Sequence, residues 1–147
     1  MNPKDLVKKY IEMGQVLQLA TVKNNQPAVC NLHYAFDEIS NLYWMSLRST
    51  KHSENLRNNK RTAVSILHDP NNKQCVHIEG EAYELTGEEA AKAHEIYGDR
   101  FGQKEQRLTE AQSDNPMLRT YYVFLPKVIM LFDEENFPDN SPQKVSI

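Results

Sequence analysis

Five cations, Arg48, Lys51, Arg57, Lys60 and Arg61, stand close together against one acid, Glu54, in a chain whose formal net charge is −3. Ser46, Ser49 and Thr50 place hydroxyls beside Arg48 and Lys51. The run LYWMSLRSTKHSENLRNNKRTAVSI reads as an apolar strand, a polar loop opening a short helix, and a second apolar strand. Free amides at a helix start, with the positive end of its dipole, favour an anion. Lys51 would neutralise such an anion as a point charge, and Arg48 could grip two of its oxygens at once. His52 could donate a further bond if protonated. The chemistry this predicts is phosphate binding.

Other reactive side chains form no comparable group. His33, His68 and His77 occur singly on strand-like runs without an H-x-x-x-H spacing, so no metal site is expected. Cys30 and Cys75 lie far apart without a C-x-x-C and are expected as buried free thiols. No Ser-His-Asp or Cys-His order is discernible, which argues against hydrolysis. Asp133, Glu134, Glu135 and Asp139 gather near the end, where solvated charge is the expectation. Tyr43 and Trp44 are neighbours on one strand, so one points at the core and the other at a groove or dimer surface.

These residues need a scaffold, and 147 residues with 39% hydrophobic content fit one domain with one core, 1–147. No apolar run approaches a membrane span and the N-terminus is charged, so a soluble, cytoplasmic protein is expected. One short basic loop in an acidic chain is too little for generic nucleic-acid binding.

Asp5–Met13 carries apolar residues at helical spacing and ends at Gly14. Val16–Val22 and Pro27–Phe36 flank Lys23-Asn24-Asn25-Gln26, a hairpin signal because Asn tolerates positive φ. Leu42–Leu47, Thr62–His68 and Gln74–Leu85 complete five strands before residue 86. Thr86-Gly87-Glu88-Glu89 reads as a capping box for a helix through Tyr97, ended by Gly98. Residues 99–118 read as a surface excursion with a short helix around Gln103–Ala111. Thr120–Phe124 and Lys127–Asp133 read as a last strand pair separated around Pro126, with a loosely held tail from Glu134. Regular short strands with one capped helix predict a mainly β fold, a small barrel.

The order of elements and four segments, LATVKNNQPAVCNLHYAFDE, LYWMSLRSTKHSENLRNNKRTAVSI, QCVHIEGEAYELT and EEAAKAHEIYGDRF, resemble the pyridoxamine 5′-phosphate oxidase-like family of FMN-binding split β-barrels. The likeness spans most of the chain. It implies a six- to seven-stranded antiparallel split barrel with flanking helices, and a homodimer holding FMN in a groove between subunits. By position, Arg48, Ser49, Thr50, Lys51 and His52 match the family's phosphate loop, and Asn59 with Arg61 leads into the next strand. Gln74 matches a glutamine that often touches the flavin. Asn31, Leu32 and His33 lie where the second strand runs beside the isoalloxazine ring, and Met45 and Ser46 end the third strand at the same groove.

The chain departs from true pyridoxamine phosphate oxidases in having Ala28 to His33 where they carry Arg and Lys, and in lacking their Arg- and His-bearing C-terminal segment. Vitamin B6 oxidation is therefore not expected. The reading is a flavin-dependent oxidoreductase that exchanges electrons or hydride with a small molecule, with no obligatory protein acid or base. Two alternatives share the fold: a binding protein with haem, on His33, or a deazaflavin in the groove, and a cofactor-free dimeric module.

Overall fold

Asn2 starts the first helix, its side-chain oxygen accepting from the Asp5 amide at 2.9 Å with Pro3 at the first helical position. In the computed structural model, which describes residues 1–139 and 142–147, this helix, α1, spans Pro3–Met13 and buries Leu6, Val7, Tyr10 and Ile11. Gly14 follows with an ordinary φ of −73°. A Cβ there would stand 2.5 Å from the Tyr34 hydroxyl, so closeness, not backbone angle, requires the glycine.

β1 (Val16–Lys23) and β2 (Gln26–His33) form the expected hairpin, with Asn24 and Asn25 at φ 52° and 61°. β2 stops at His33 instead of running to Phe36. Buried Tyr34 leaves the ladder to donate its hydroxyl to the Ile11 carbonyl at 2.6 Å, and β3 (Ala35–Phe36) pairs with β4 (Leu42–Leu47). α2 (Lys51–Asn58), β5 (Arg61–Asp69) and β6 (Gln74–Glu84) come next. Six strands thus precede residue 86, because one expected strand is divided.

The rest departs further from the sequence pattern. Thr86 makes no side-chain cap bond, because Gly87 at φ +56° turns the chain away, so the capping box does not form. α3 (Gly87–Phe101) runs through the buried Gly98 to Gly102, and α4 (Glu105–Gln112) follows. The strand pair expected around Pro126 is one long strand, β7 (Arg119–Phe132). Pro126 sits opposite Gly80 at a register shift, on a stretch of β7 between its pairing with β4 at Leu42–Phe124 and with β8 at Ile129–Val145. A missing N–H is tolerated there. β8 (Gln143–Val145) also corrects the loose tail: it pairs with β7, and Val145 is buried in the core.

The ladders are antiparallel, in the order β2-β1-β5-β6-β7-β4-β3 with β8 on β7. The two ends of this order, β2 and β3, are consecutive in the chain with only Tyr34 between them. The sheet must therefore roll round, giving the expected antiparallel split barrel. Its interior holds Leu17, Leu19, Trp44, Ile66, Ile78, Tyr122 and Phe124, closed by α1. Burial of each such side chain is worth ~1.5–3 kcal/mol. Alternation sends Tyr43, Tyr121 and Val123 to the opposite face, where they pack with Ala90, Ala93 and Ala111. Tyr43 and Trp44 are thus both core residues, one in each cluster.

Candidate functional site

Thr50 is the residue on which the loop turns. It is the N-cap of α2, its Oγ1 accepting from the Ser53 amide at 3.3 Å and lying 3.0 Å from the Leu47 carbonyl and 2.8 Å from Ser53 Oγ. His52 reaches back, with Nε2 2.8 Å from Ser46 Oγ and 3.3 Å from Thr50 Oγ1. Burial lowers the His52 pKa, so the ring is neutral at pH 7 and does not offer the protonated donor expected of it. The side chains of Ser46, Thr50, His52 and Ser53 thus contact one another and the Leu47 carbonyl.

Arg48 reaches across to another segment. Its guanidinium donates to backbone carbonyls of Asn115 (2.8 Å), Ser113 (2.9 Å), Ala111 (3.1 Å), Glu110 and Leu118 (both 3.4 Å). A cation on the last carbonyls of α4 complements that helix dipole. The Arg48 backbone is held too, its amide on the Leu118 carbonyl at 3.2 Å and its carbonyl accepting from Arg57 Nη2 at 2.7 Å. Arg57 in turn pairs with Glu84 at 3.1 Å, and Glu84 accepts from the Tyr122 hydroxyl at 2.8 Å.

Ser49 and Lys51 are what this framework leaves outward. Both are exposed, and neither has a hydrogen bond or ion pair among the described residues. The first-turn amides of α2 lack intrahelical acceptors, and of these Ser53 is capped by Thr50, which leaves Lys51 and His52. A primary ammonium, a hydroxyl and two helix-start amides are a donor set that fits a phosphate dianion.

The remaining expected residues are dispersed. Asn31 and His33 are exposed on β2, where Asn31 Oδ1 accepts from Gln18 at 3.2 Å and His33 meets the edge of Phe101 at 6.0 Å. Leu32 packs against the barrel core and Met45 against the outer cluster. β2 pairs only with β1, which leaves its other edge open among the described residues. Gln74 is only 5% exposed, and its amide donates to Asp133 at 3.1 Å and Glu135 at 3.0 Å. It begins β6, ten residues before the Glu84 that touches Arg57, which places it roughly 30 Å from the loop along the strand. One protomer does not bring Gln74 to Lys51.

The sequence reading missed Arg57, Glu84 and the segment 113–118 as the loop's supports. The polar SDNPML run carries no periodic signal, and only the proximity of Arg57 to the loop hinted at its part. Among the described residues no group of three or more His, Cys, Asp or Glu converges on a metal position, and both cysteines are free. Among the described residues no helix is long and apolar enough to cross a membrane.

A family model described as pyridoxamine 5′-phosphate oxidase matches residues 3–133. No curated protein matches the chain. Among solved structures, the heme storage protein HutZ from Vibrio cholerae superposes with a TM-score of 0.73 at 17% identity, covering 89% of this chain and 95% of that one. An FAD-binding protein from Mesorhizobium loti gives 0.65 at 23% identity over 88% and 92% of the two chains. The General Stress Protein 26 from Bacillus anthracis gives 0.68 at 17% identity over the full length of both. At these identities the likeness is one of fold.

Proposed function

The chain belongs to the pyridoxamine 5′-phosphate oxidase family, and from that premise we propose that it binds a flavin by its 5′-phosphate, FMN being the minimal form. The single observation that carries this reading is the pair Ser49 and Lys51, exposed and without side-chain partners among the described residues at the start of α2 while their neighbours are locked in place. Bound flavin would supply hydride or electron exchange with a small molecule. The protein's part is to anchor the phosphate, orient the ring along the open edge of β2 near Asn31 and His33, and shield it.

In this reading the whole chain is one domain and works as a homodimer. Val29 is 72% and Leu67 53% exposed, apolar residues on the outer face of the barrel where a second subunit would cover them. A two-fold pairing is also the arrangement that could bring Gln74 of one subunit near the loop of the other. Sedimentation giving a stable monomer would overturn it.

The test is an absorption spectrum before and after adding FMN, with the denatured supernatant examined for released cofactor. Flavin bands that co-purify or appear on titration, and weaken in Lys51→Ala, support the reading. A second reading, haem on His33, is favoured by the exposure of that ring on β2. It predicts a Soret band lost in His33→Ala, a substitution that leaves FMN binding largely intact because β2 would meet the flavin ring through its backbone. Deazaflavin uptake in place of FMN would keep the groove and change the cofactor. No uptake of any of these would leave the cofactor-free module.

A further inference from the structure

Arg100 carries an unmet donor. Its Nη2 donates to the carbonyls of Gly14 and, at 3.4 Å, of Glu12, where α1 ends. Its guanidinium carbon stands 5.0 Å from the Phe36 ring centre, 5.2 Å from Tyr34 and 5.7 Å from Phe101, rings whose faces attract a cation. Nη1 is buried with no hydrogen-bond partner, and no carboxylate pairs with the group among the described residues. A buried donor left unpaired is costly, and one on a charged group more so.

Arg100 also lines an open cleft of about 1150 Å3 between α1, α3 and the turn from β3 to β4. That exceeds the ~300–1,000 Å3 typical of small-molecule sites, and none of the residues assigned to the flavin lines it. Ser40 is a second, independent sign of a ligand. It lines the same cleft and is only 5% exposed, and its hydroxyl has no partner among the described residues. The turn that carries it is braced by Asp37, which accepts from the amides of Ile39 (3.1 Å) and Asn41 (2.9 Å) and from the Tyr43 hydroxyl (3.0 Å).

Exposed charges of both signs ring the mouth, Lys8 and Lys92 against Glu12, Glu38 and Asp99. Solvated and mixed, they leave the sign of the ligand to Arg100. A guanidinium and a hydroxyl are donors that suit a carboxylate, while Ile11, Phe36, Ile39 and Ile96 give the cleft apolar walls.

We propose that this cleft binds a small monocarboxylate with an apolar body, its carboxylate on Arg100 and the Ser40 hydroxyl and its hydrocarbon among the isoleucines. Nη1 is closed to solvent, so the carboxylate meets it as the guanidinium turns toward the cleft. The site is separate from the flavin and does not depend on it.

NMR titration of the isotope-labelled protein with benzoate and with isovalerate decides it, set against neutral benzamide. Both acids should saturate one site, shifting the amide signals of Ile39, Ser40 and Arg100 and leaving Lys51 unmoved. Benzamide, which has the ring without the charge, should bind about tenfold or more weakly. Ser40→Gly keeps the turn, since glycine suits its φ of 65°, and should weaken benzoate severalfold. Arg100→Lys, which loses the planar fork, should weaken it about tenfold or more. Benzamide bound as tightly as benzoate, shifts gathered at Ser49 and Lys51, affinity unchanged in both variants, or no saturation by either acid each overturns the proposal.

Discussion

Arg57 Nη2 donates to the carbonyl oxygen of Arg48 at 2.7 Å, from the last turn of the helix whose first turn the same loop forms. The bond ties both ends of α2 to one peptide. Ser49 and Lys51 therefore project from a backbone fixed before any anion arrives, and preorganisation of this kind lowers the ordering cost of binding.

Lys51→Ala separates binding from stability. The side chain is exposed and has no partner among the described residues, so chemical denaturation should move by no more than about 0.5 kcal/mol. FMN affinity should fall roughly tenfold to a hundredfold, the worth of one charge-assisted bond, while riboflavin, which lacks the phosphate, should bind as before. Equal losses for FMN and riboflavin would place the phosphate elsewhere.

Arg48→Ala should do the opposite. Removing a guanidinium that satisfies the α4 carbonyls should lower unfolding free energy by about 1–3 kcal/mol, seen in urea titration. Arg48→Lys should recover little, because an ammonium cannot fork across several carbonyls. A variant of unchanged stability that has lost FMN would return Arg48 to the phosphate.

The contrast between these two residues shows where the sequence was legible. Spacing and residue type located the polar loop, the hairpin at Asn24-Asn25 and the succession of most strands along the chain, since each depends on local chemistry or period. Neighbouring cations look alike in sequence, however, and whether one faces an anion or a carbonyl is decided by α4 and residues 113–118, some sixty positions away. The partners of Gln74 were hidden likewise: its amide meets Asp133 and Glu135, which return to it only when the sheet closes. The division of β2 at Tyr34 follows from a hydroxyl bond to α1, and β8 from a ladder to β7, neither visible in a local window.

Gly80 faces Pro126 across the bulge, and a Cβ there would lie 2.2 Å from the Leu125 carbonyl oxygen and 2.9 Å from the Phe124 ring. Both neighbours are held, one as backbone and one as a fully buried side chain. Gly80→Ala should therefore cost about 1–3 kcal/mol through overpacking. Unchanged thermal unfolding would mean that the bulge can slide.

His52 sets one pH window. Its folded-state pKa lies below the unfolded value of ~6.5 because burial disfavours the imidazolium. The neutral ring therefore contributes stability above that value, and the contribution is lost as pH falls through the folded pKa. Unfolding free energy should decline below about pH 6.5, and His52→Gln, which keeps a hydrogen-bonding partner for Ser46, should flatten that decline. An identical slope in both proteins would assign the titration to another group.

Asp133 sets a second, more acid window. It is 0% exposed, and burial by itself would raise its pKa. Bonds to the carboxylate from Tyr10 (2.5 Å), from the amide and side chain of Asn136 (3.0 and 2.8 Å) and from Gln74 outweigh that penalty and leave the pKa below the ordinary carboxylate value. The stabilisation is present above the unfolded pKa of ~3.9 and disappears as pH falls through the folded one. Tyr10→Phe removes one donor while keeping the ring that stacks on His68 at 4.1 Å. It should cost about 1–3 kcal/mol at pH 7, and the difference from wild type should shrink as Asp133 protonates. A difference constant from pH 7 to 3 would mean that the loss lies in packing of α1 and not in the charge that ties α1, β6 and the end of β7 together.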